Sequence, residues 1–139
     1  MESSNLVFEK KEYLLLKRLI NLSFYVNDET SLNTLEKLSS SLEKAQINHD
    51  LDMPKNVVRI NSMVTLSFMD LHVSTLQLVM PSENQSGQNK VSIVTLLGAA
   101  LIGQREGTTI TLKDSTRIMK FKIIKVNQVN KNISLDMIL

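Results

Sequence analysis

The sequence predicts an α+β protein, in which a short antiparallel helical hairpin of the coiled-coil type precedes an antiparallel β-sheet domain with one short helix. In the first 50 residues, apolar side chains recur at three- and four-residue steps, as on one face of a helix. From residue 64 onward they alternate with polar ones, as in strands with one buried face. We therefore expect a helical arm at residues 1–50 and a sheet body at residues 51–139.

Two helices account for the pattern in the arm. The first apolar run lies within Phe8–Phe24 and the second covers Leu35–Ala45, with Asp28 and Glu29 at the tip between them. Helices of about 16 residues would be about 25 Å long. The periodicity alone also fits a helical pair that packs on the sheet as part of its core.

The body begins with two strands that we expect to pair in antiparallel fashion. Alternation at 64–68 and 76–80 indicates strands joined around 69–72, and Pro81 ends the second one. Residues 82–89 contain no apolar side chain and are predicted as a loop. A last strand at Arg117–Val126 would bury Met119, Phe121 and Ile123, while residues 127–139 receive no firm assignment.

Between these strands lies the most informative stretch, Val91–Leu112. Small residues within 97–102 predict a short helix that approaches the sheet closely. Gly103 stands where a helix C-terminus favours a left-handed residue, and Gly107 stands where a turn enters the next strand, at 108–112.

Composition and charge exclude several classes of function. The chain of 139 residues has no cysteine, so it has neither disulfides nor thiol chemistry. Its net charge of +2 is unevenly distributed, because residues 1–50 carry 6 basic against 8 acidic side chains and residues 51–139 carry 10 against 6. We find neither a signal-peptide pattern nor an apolar run of membrane-spanning length, and expect a cytoplasmic protein.

The sequence contains no recognisable catalytic or metal-binding pattern. His49 and His72 are the only histidines, and they lie in separate polar turns without ligand spacing. No serine stands in a nucleophile-elbow context, and no glycine-rich phosphate loop is present. We therefore expect a monomer that is not an enzyme and binds no cofactor or metal.

Three motifs resemble one family. Ser92–Gly107, SIVTLLGAALIGQREG, resembles the signature of the C-terminal domain of the bacterial Gre transcription factors. Met53–Ser62, MPKNVVRINS, resembles the segment before the first long strand in short members of that family, the regulators of nucleoside diphosphate kinase. Leu76–Pro81 resembles the family's strand end. The resemblance covers about Phe8 to Val126 and implies an FKBP-like fold for the body.

The resemblance also implies a partner, RNA polymerase. The turn that docks on the rim of the polymerase secondary channel in Gre proteins corresponds here to Val94, Thr95 and Leu96. Val94 replaces an aspartate that is frequent in Gre proteins, and Leu96 replaces the usual proline, so the turn lacks a fixed φ. The alternative is that Val94 and Leu96 only cover the short helix.

In Gre factors, acidic residues at the arm tip help to place a catalytic magnesium ion for RNA cleavage. The predicted arm is about half as long, and a carboxylate must come to about 2.1 Å from the ion to bind it. Asp28 and Glu29 would therefore stop short of the active centre. We expect the chain to compete with Gre factors without stimulating cleavage; the alternative is a true cleavage factor.

Two further surfaces have alternative interpretations. An FKBP-like body could bind peptides or isomerise prolyl bonds, but the body contains only Phe68 and Phe121 to line an aromatic pocket, and alternation directs both into the core. Arg117, Lys120 and Lys122 form a basic stripe, which serves either solubility and edge protection or contact with an acidic partner or nascent RNA. Sequence-specific nucleic-acid binding is not expected, because no exposed aromatic residues stand between the charges.

Overall fold

The computed structural model describes residues 6–22, 29–69, 72–81, 89–113 and 118–129. Within these ranges it confirms the predicted α+β class. The elements in chain order are β1 (Val7–Glu9), α1 (Lys10–Leu22), α2 (Glu29–Glu43), β2 (Gln46–Asn48), a 3-10 turn (Asp50–Asp52), β3 (Met63–Phe68), β4 (Val73–Val79), β5 (Lys90–Ser92), α3 (Leu96–Leu101), β6 (Thr109–Lys113) and β7 (Ile118–Asn127).

The main sheet has five strands in the order β5-β4-β3-β7-β6. The predicted antiparallel pairing of β3 with β4 is confirmed, and β7 pairs antiparallel with both β3 and β6. The expectation of a wholly antiparallel sheet was wrong, because β5 runs parallel to β4, with Gln77 opposite Lys90 and Val79 opposite Ser92. Strand β5 therefore begins beside Gln77, in the second half of β4, and runs in the same direction. The polar composition of residues 82–89 does not encode this direction.

Strand β7 lies inside the sheet, between β3 and β6. Its side chains alternate as predicted, with Phe121 and Ile123 buried and Lys120 and Lys122 exposed. A register shift in the pairing with β3 then places Ile124 and Lys125 both on the exposed side. Arg117, predicted as the first residue of this strand, lies outside the described residues.

The first helix is shorter than predicted, because a small second sheet precedes it. Residues 7–9 form β1, which pairs parallel with β2, so Phe8 is a strand residue and α1 begins at Lys10. The Glu9 carboxylate accepts a hydrogen bond from the Glu12 backbone N–H at 3.0 Å, which satisfies one of the free donors at the helix start. Strands of three residues are too short to show alternation in the sequence.

Helices α1 and α2 contribute side chains to the same hydrophobic core as the main sheet. Leu15, Leu16 and Leu38 are fully buried in one cluster with Leu66 of β3 and Leu101 of α3. Each such side chain stabilises the fold by about 1.5–3 kcal/mol. The helices thus share one core with the main sheet, with α2 in contact with α3 and α1 in contact with β1 and β2. Their periodicity allowed such a contribution to the core. The division into an arm and a body near residue 50 remains a prediction.

The helices in the described ranges are all too short or too polar to cross a membrane.

Candidate docking turn and its supporting cluster

The candidate docking turn, residues 94–96, is fixed by hydrogen bonds through Ser92 and Thr95. The Val94 N–H donates to Ser92 Oγ at 3.1 Å, and the Thr95 N–H donates to Ser92 O at 3.1 Å. The Thr95 hydroxyl donates to Ser92 O at 2.7 Å and accepts from the Gly98 N–H at 3.0 Å, which makes Thr95 the N-cap of α3. These hydrogen bonds restrain the turn without the proline that Leu96 replaces.

The surface of this turn is partly apolar. Thr95 is exposed, whereas Val94 and Leu96 are half-buried and pack against the edge of the core. Both side chains therefore help to cover the core, as the alternative interpretation proposed, and both also leave part of their surface open to solvent. The sequence motif indicates the three residues of the turn but not the role of Ser92.

Gly98 allows α3 to lie directly on the end of β5. A Cβ at this position would come within 2.1 Å of the Ser92 carbonyl oxygen, and Gly98 is buried together with Ala99 and Ala100. This confirms the close approach that the small residues predicted. The helix begins at Leu96, one residue before the predicted start.

Gly103 and Gly107 both have the predicted left-handed geometry, with φ of 84° and 95°. At Gly103 the requirement is twofold, because a Cβ there would also lie 2.8 Å from the Phe8 ring. The Val7 N–H donates to the Gly103 carbonyl at 3.1 Å. The end of α3 is therefore packed against β1.

A charge cluster around Arg59, buried except for Asp50, connects α1 to the body. Arg59 Nε donates to Glu12 Oε2 at 2.8 Å, and its Nη2 donates to Asp50 Oδ1 at 3.0 Å and lies 3.8 Å from Glu9 Oε1. Glu12 Oε1 also accepts from the Ile60 N–H at 3.2 Å. The side chain of Glu12 is 2% exposed and that of Arg59 is 19% exposed.

Burial raises the pKa of Glu12 from 4.5 to about 7. Attraction to Arg59 and the hydrogen bonds from Ile60 and Arg59 oppose this rise, while the charge of Glu9 adds to it. The pKa of Arg59 is raised by the charges and hydrogen bonds of Glu12 and Asp50, although its own burial acts in the opposite direction. Arg59 therefore stays charged, and its charge does not change over the pH range in which Glu12 titrates.

The Met53–Ser62 motif is a structural junction in this fold. Ser62 Oγ accepts from the Arg59 N–H at 2.8 Å and donates to Gln128 Oε1 at 2.7 Å. Gln128 Nε2 in turn donates to the Val57 carbonyl at 2.7 Å. The motif thus joins the Arg59 cluster to the end of β7.

A cleft of about 390 Å³ opens beside this junction. It is bordered by the Arg59 cluster, by the 3-10 turn, in which Leu51 is 95% exposed, and by the segment that follows this turn. Its lining consists of Glu12, Asp50, Leu51, Met53, Pro54, Lys55, Arg59, Ile60, Gln128 and Val129.

The remaining sequence-predicted residues are not brought together in one site. Asp28 lies outside the described residues, and Glu29 is the first residue of α2. His49 and His72 lie in separate connections. Across the described parts of the chain, no three His, Asp or Glu side chains cluster in a way that could hold a metal ion.

The two aromatic residues of the body differ from the prediction. Phe121 is buried, but Phe68 is only half-buried, because it lies at the end of β3 where the sheet stops covering it. Their ring centroids are 5.6 Å apart. Phe68 lines an open cleft of about 390 Å³ with Met69, His72, Ile118, Met119 and Lys120. A single phenyl ring borders this cleft, which does not form an aromatic slot.

Comparisons with known proteins agree with the motifs. Residues 53–128 match the family model described as transcription elongation factor, GreA/GreB, C-term. Transcription elongation factor GreA of Syntrophomonas wolfei is 30% identical over 92 residues, which are 66% of this chain and 58% of that protein. The regulator of nucleoside diphosphate kinase of Escherichia coli is 33% identical over 76 residues, 54% of this chain and 56% of that protein. The chain thus spans under three fifths of these curated relatives.

A solved structure has the same fold. The prokaryotic transcription elongation factor GreA/GreB from Nitrosomonas europaea superposes with a TM-score of 0.73 at 21% identity. The superposition covers 88% of this chain and 98% of that one. The likeness therefore includes the helices before residue 50 as well as the sheet.

Proposed function

Because the chain belongs to the GreA/GreB family of transcription elongation factors and is a homologue of the regulators of nucleoside diphosphate kinase, we propose that it is a transcription regulator that binds RNA polymerase. The body docks on the rim of the polymerase secondary channel through Val94, Thr95 and Leu96, in the cytoplasm. It competes there with Gre factors and does not stimulate RNA cleavage.

The hydrogen-bonded turn at 94–96 is the observation that carries this proposal. It lies within the segment that resembles the Gre signature, and Ser92 and Thr95 fix its backbone before any partner binds. A preorganised turn loses little conformational freedom on binding, so more of its interaction energy appears as affinity. Its half-buried apolar side chains beside the exposed Thr95 provide a contact surface of mixed polarity.

The length of the helices supports the second part of the proposal, the lack of cleavage. Helices α1 and α2 have 13 and 15 described residues, which corresponds to about 20 and 23 Å. Leucines of both helices are also buried in the shared core, so only part of that length can project from the body. Carboxylates on so short an arm would not reach a magnesium ion deep in the channel.

The first experiment is capture of core RNA polymerase by the purified protein, with GreA added as competitor. The informative variant is Val94→Lys, which places a charge at the turn. Its matched control is Val73→Lys, because Val73 is 53% exposed and lies at the opposite end of β4 from the turn. We expect GreA to displace the protein, Val94→Lys to weaken binding at least tenfold, and Val73→Lys to leave it unchanged.

Failure to bind at micromolar concentration would contradict the polymerase assignment, and equal effects of the two lysine substitutions would contradict the position of the docking surface. Cleavage is tested separately, by adding the protein to backtracked elongation complexes and following release of short RNA fragments. Stimulated release would identify a cleavage factor, which is the alternative that the family membership leaves open.

A further inference from the structure

We propose that the outer face of the main sheet binds the phosphate backbone of single-stranded RNA without sequence preference. The central feature is a set of four exposed lysines on β6 and β7, which we call the lysine face: Lys113, Lys120, Lys122 and Lys125. This surface is distinct from the docking turn, and its RNA binding does not depend on polymerase docking.

The strand register places these lysines among hydroxyl side chains. Lys122 lies opposite Ser67 of β3 on one side and Thr109 of β6 on the other. Lys120 lies opposite Thr111, and Lys125 lies opposite Thr65. Neighbouring strands are about 4.8 Å apart, so each of the three lysines of β7 stands beside a residue with a hydroxyl group, whereas Lys113 lies opposite Ile118. Lysine and hydroxyl groups are the side chains that commonly contact phosphate oxygens.

Edge protection can explain Lys113, which lies on the edge strand β6, but not the three lysines of the interior strand β7. Charged residues often shield an edge strand from pairing with another chain. Lys122 and Lys125, however, lie where β7 pairs with β3 inside the sheet. None of the four ammonium groups forms an ion pair or hydrogen bond with another described residue. Their charges are therefore available to an external anion.

The described strands place no carboxylate on this face. Its outward positions are polar, basic or apolar: Met63, Thr65, Ser67, Val73, Thr75, Gln77, Lys90, Thr109, Thr111, Lys113, Ile118, Lys120, Lys122, Ile124, Lys125 and Asn127. Outside the strands, the Glu106 carboxylate accepts from the Val126 N–H at 2.9 Å, next to Lys125. The four exposed positive charges outnumber this one described carboxylate, so the face keeps a positive potential, which attracts a polyanion.

The side-chain types favour nucleic acid over an acidic protein. Protein interfaces are enriched in aromatic residues and arginine and depleted in lysine, whereas the outward strand positions of this face contain no arginine, and one half-buried ring, Phe68, borders the face beside Lys120. A single ring cannot stack a run of successive bases, so base stacking contributes little sequence preference. Binding would thus rest mainly on phosphate contacts.

The arrangement favours a single strand over a duplex. Lys120, Lys122 and Lys125 form one row along β7, and five residues of a strand extend about 17 Å. A flexible single strand can follow one such row, while a duplex is usually read by an element that enters a groove. The 2′-hydroxyl of RNA adds a further hydrogen-bonding partner for the threonines.

The test is fluorescence anisotropy with a labelled 20-nucleotide RNA of mixed sequence, without polymerase. Each neutralised phosphate on a single strand contributes about −0.7 to the slope of log affinity against log salt. Four contacts therefore predict a loss of roughly 50-fold between 50 and 200 mM salt. Replacing all four lysines of the face by glutamine should weaken binding at 50 mM salt at least tenfold.

The matched control replaces four exposed lysines elsewhere, Lys10, Lys11, Lys37 and Lys44, by glutamine. It removes the same total charge, so we expect a loss of no more than about threefold. A second measurement acetylates the lysines of the unsubstituted protein with and without RNA and reads the extent by mass spectrometry. RNA should protect the lysines of the face from acetylation and should not protect the four control lysines. This second measurement does not depend on the folding of a variant.

Several results would overturn the proposal. They are absence of RNA binding at low salt, equal losses in the two glutamine variants, and protection of the control lysines instead of the face. Displacement of RNA by polyglutamate at equal charge would indicate an acidic protein partner. Equally tight binding of duplex DNA would contradict the single-strand assignment. Polymerase capture is measured separately, so its failure and the failure of this proposal can be distinguished.

Discussion

Glu12 and Arg59, 47 positions apart in the chain, form a hydrogen-bonded ion pair of 2.8 Å between α1 and the segment that precedes β3. The carboxylate is almost completely buried, and its second oxygen accepts from the Ile60 N–H. Burial of these two charges costs desolvation energy, which their mutual attraction offsets. Removal of one charged side chain therefore leaves the other charge buried without compensation. The pair thus makes the position of α1 dependent on Arg59.

Substitution of Arg59 by methionine should destabilise the fold strongly at pH 8, where Glu12 is ionised. We expect a loss of about 3–5 kcal/mol in the free energy of unfolding, measured by urea denaturation. At pH 5 the loss should be smaller, because a protonated Glu12 does not need the guanidinium. Lys55→Met, an exposed substitution of the same kind nearby, should change stability by less than about 0.5 kcal/mol. Equal effects of both substitutions would show that the pair contributes nothing specific.

The pKa of Glu12 predicts a pH dependence with a definite sign. The folded-state pKa of about 7 lies above the ordinary value of 4.5, so between these values the folded protein holds a proton that the unfolded chain releases. The contribution of Glu12 to stability is therefore full below about pH 4.5 and is lost as the pH rises to about 7. The difference corresponds to about 3 kcal/mol.

Glu12→Gln isolates this effect, because the amide does not titrate and other groups are unchanged. Urea denaturation at pH 5, 6, 7 and 8 should show a steeper decline of stability in the unmodified protein than in the variant. The neighbouring charged groups are Glu9, Asp50 and Arg59, and all three are retained in both proteins. Parallel curves for the two proteins would contradict the raised pKa.

Substitution of Gly98 by alanine tests whether the close contact between α3 and β5 is required. The new methyl group would meet the Ser92 carbonyl, which is backbone and cannot rotate away, so α3 must shift. We expect a loss of about 3 kcal/mol in the free energy of unfolding, the upper end of the usual cost of an added group in a packed core. Gly107→Ala is the control, because that position has open space and only the positive φ is strained, at about 1–2 kcal/mol. A smaller loss at Gly98 than at Gly107 would refute the steric argument.

Much of this fold is predictable because its signals are local. Alternation located β3, β4 and β7, and the small residues and glycines located α3 and the turns on either side of it. The pairing of β1 with β2 escaped prediction, because three residues carry no periodicity. The parallel direction of β5 depends on the path of a loop, which polar composition does not encode.

The candidate site was only partly predictable, for a related reason. Residues 94–96 stand in a contiguous motif and were identified as a turn, but the hydrogen bonds that hold it depend on three-dimensional geometry. The Glu12 and Arg59 pair joins two segments 47 residues apart, and no sequence spacing points from one residue to the other. The lysine face likewise needed the register of β7 against both neighbours before Lys113 and Lys125 could be added to Lys120 and Lys122.

Thr95 should be required for the shape of the docking turn. Thr95→Val removes both hydrogen bonds of the hydroxyl, to Ser92 O and from the Gly98 N–H, and should cost about 1–2 kcal/mol in stability. It should also weaken polymerase capture, because the turn is no longer preorganised. Thr95→Ser keeps the hydroxyl and should retain both properties. Loss of stability with unchanged capture would separate the turn's structural role from docking.

The double substitution Asp28→Asn with Glu29→Gln tests whether the arm tip contributes to binding. If affinity resides in the body, removal of both charges should change the dissociation constant for core polymerase by less than about fivefold, since an exposed ion pair contributes about 1 kcal/mol or less. The measurement is polymerase capture over a range of protein concentrations, with Val94→Lys in parallel as the variant expected to lose binding. A larger loss from the double substitution than from Val94→Lys would place the affinity in the tip, and the body would then act mainly as its support.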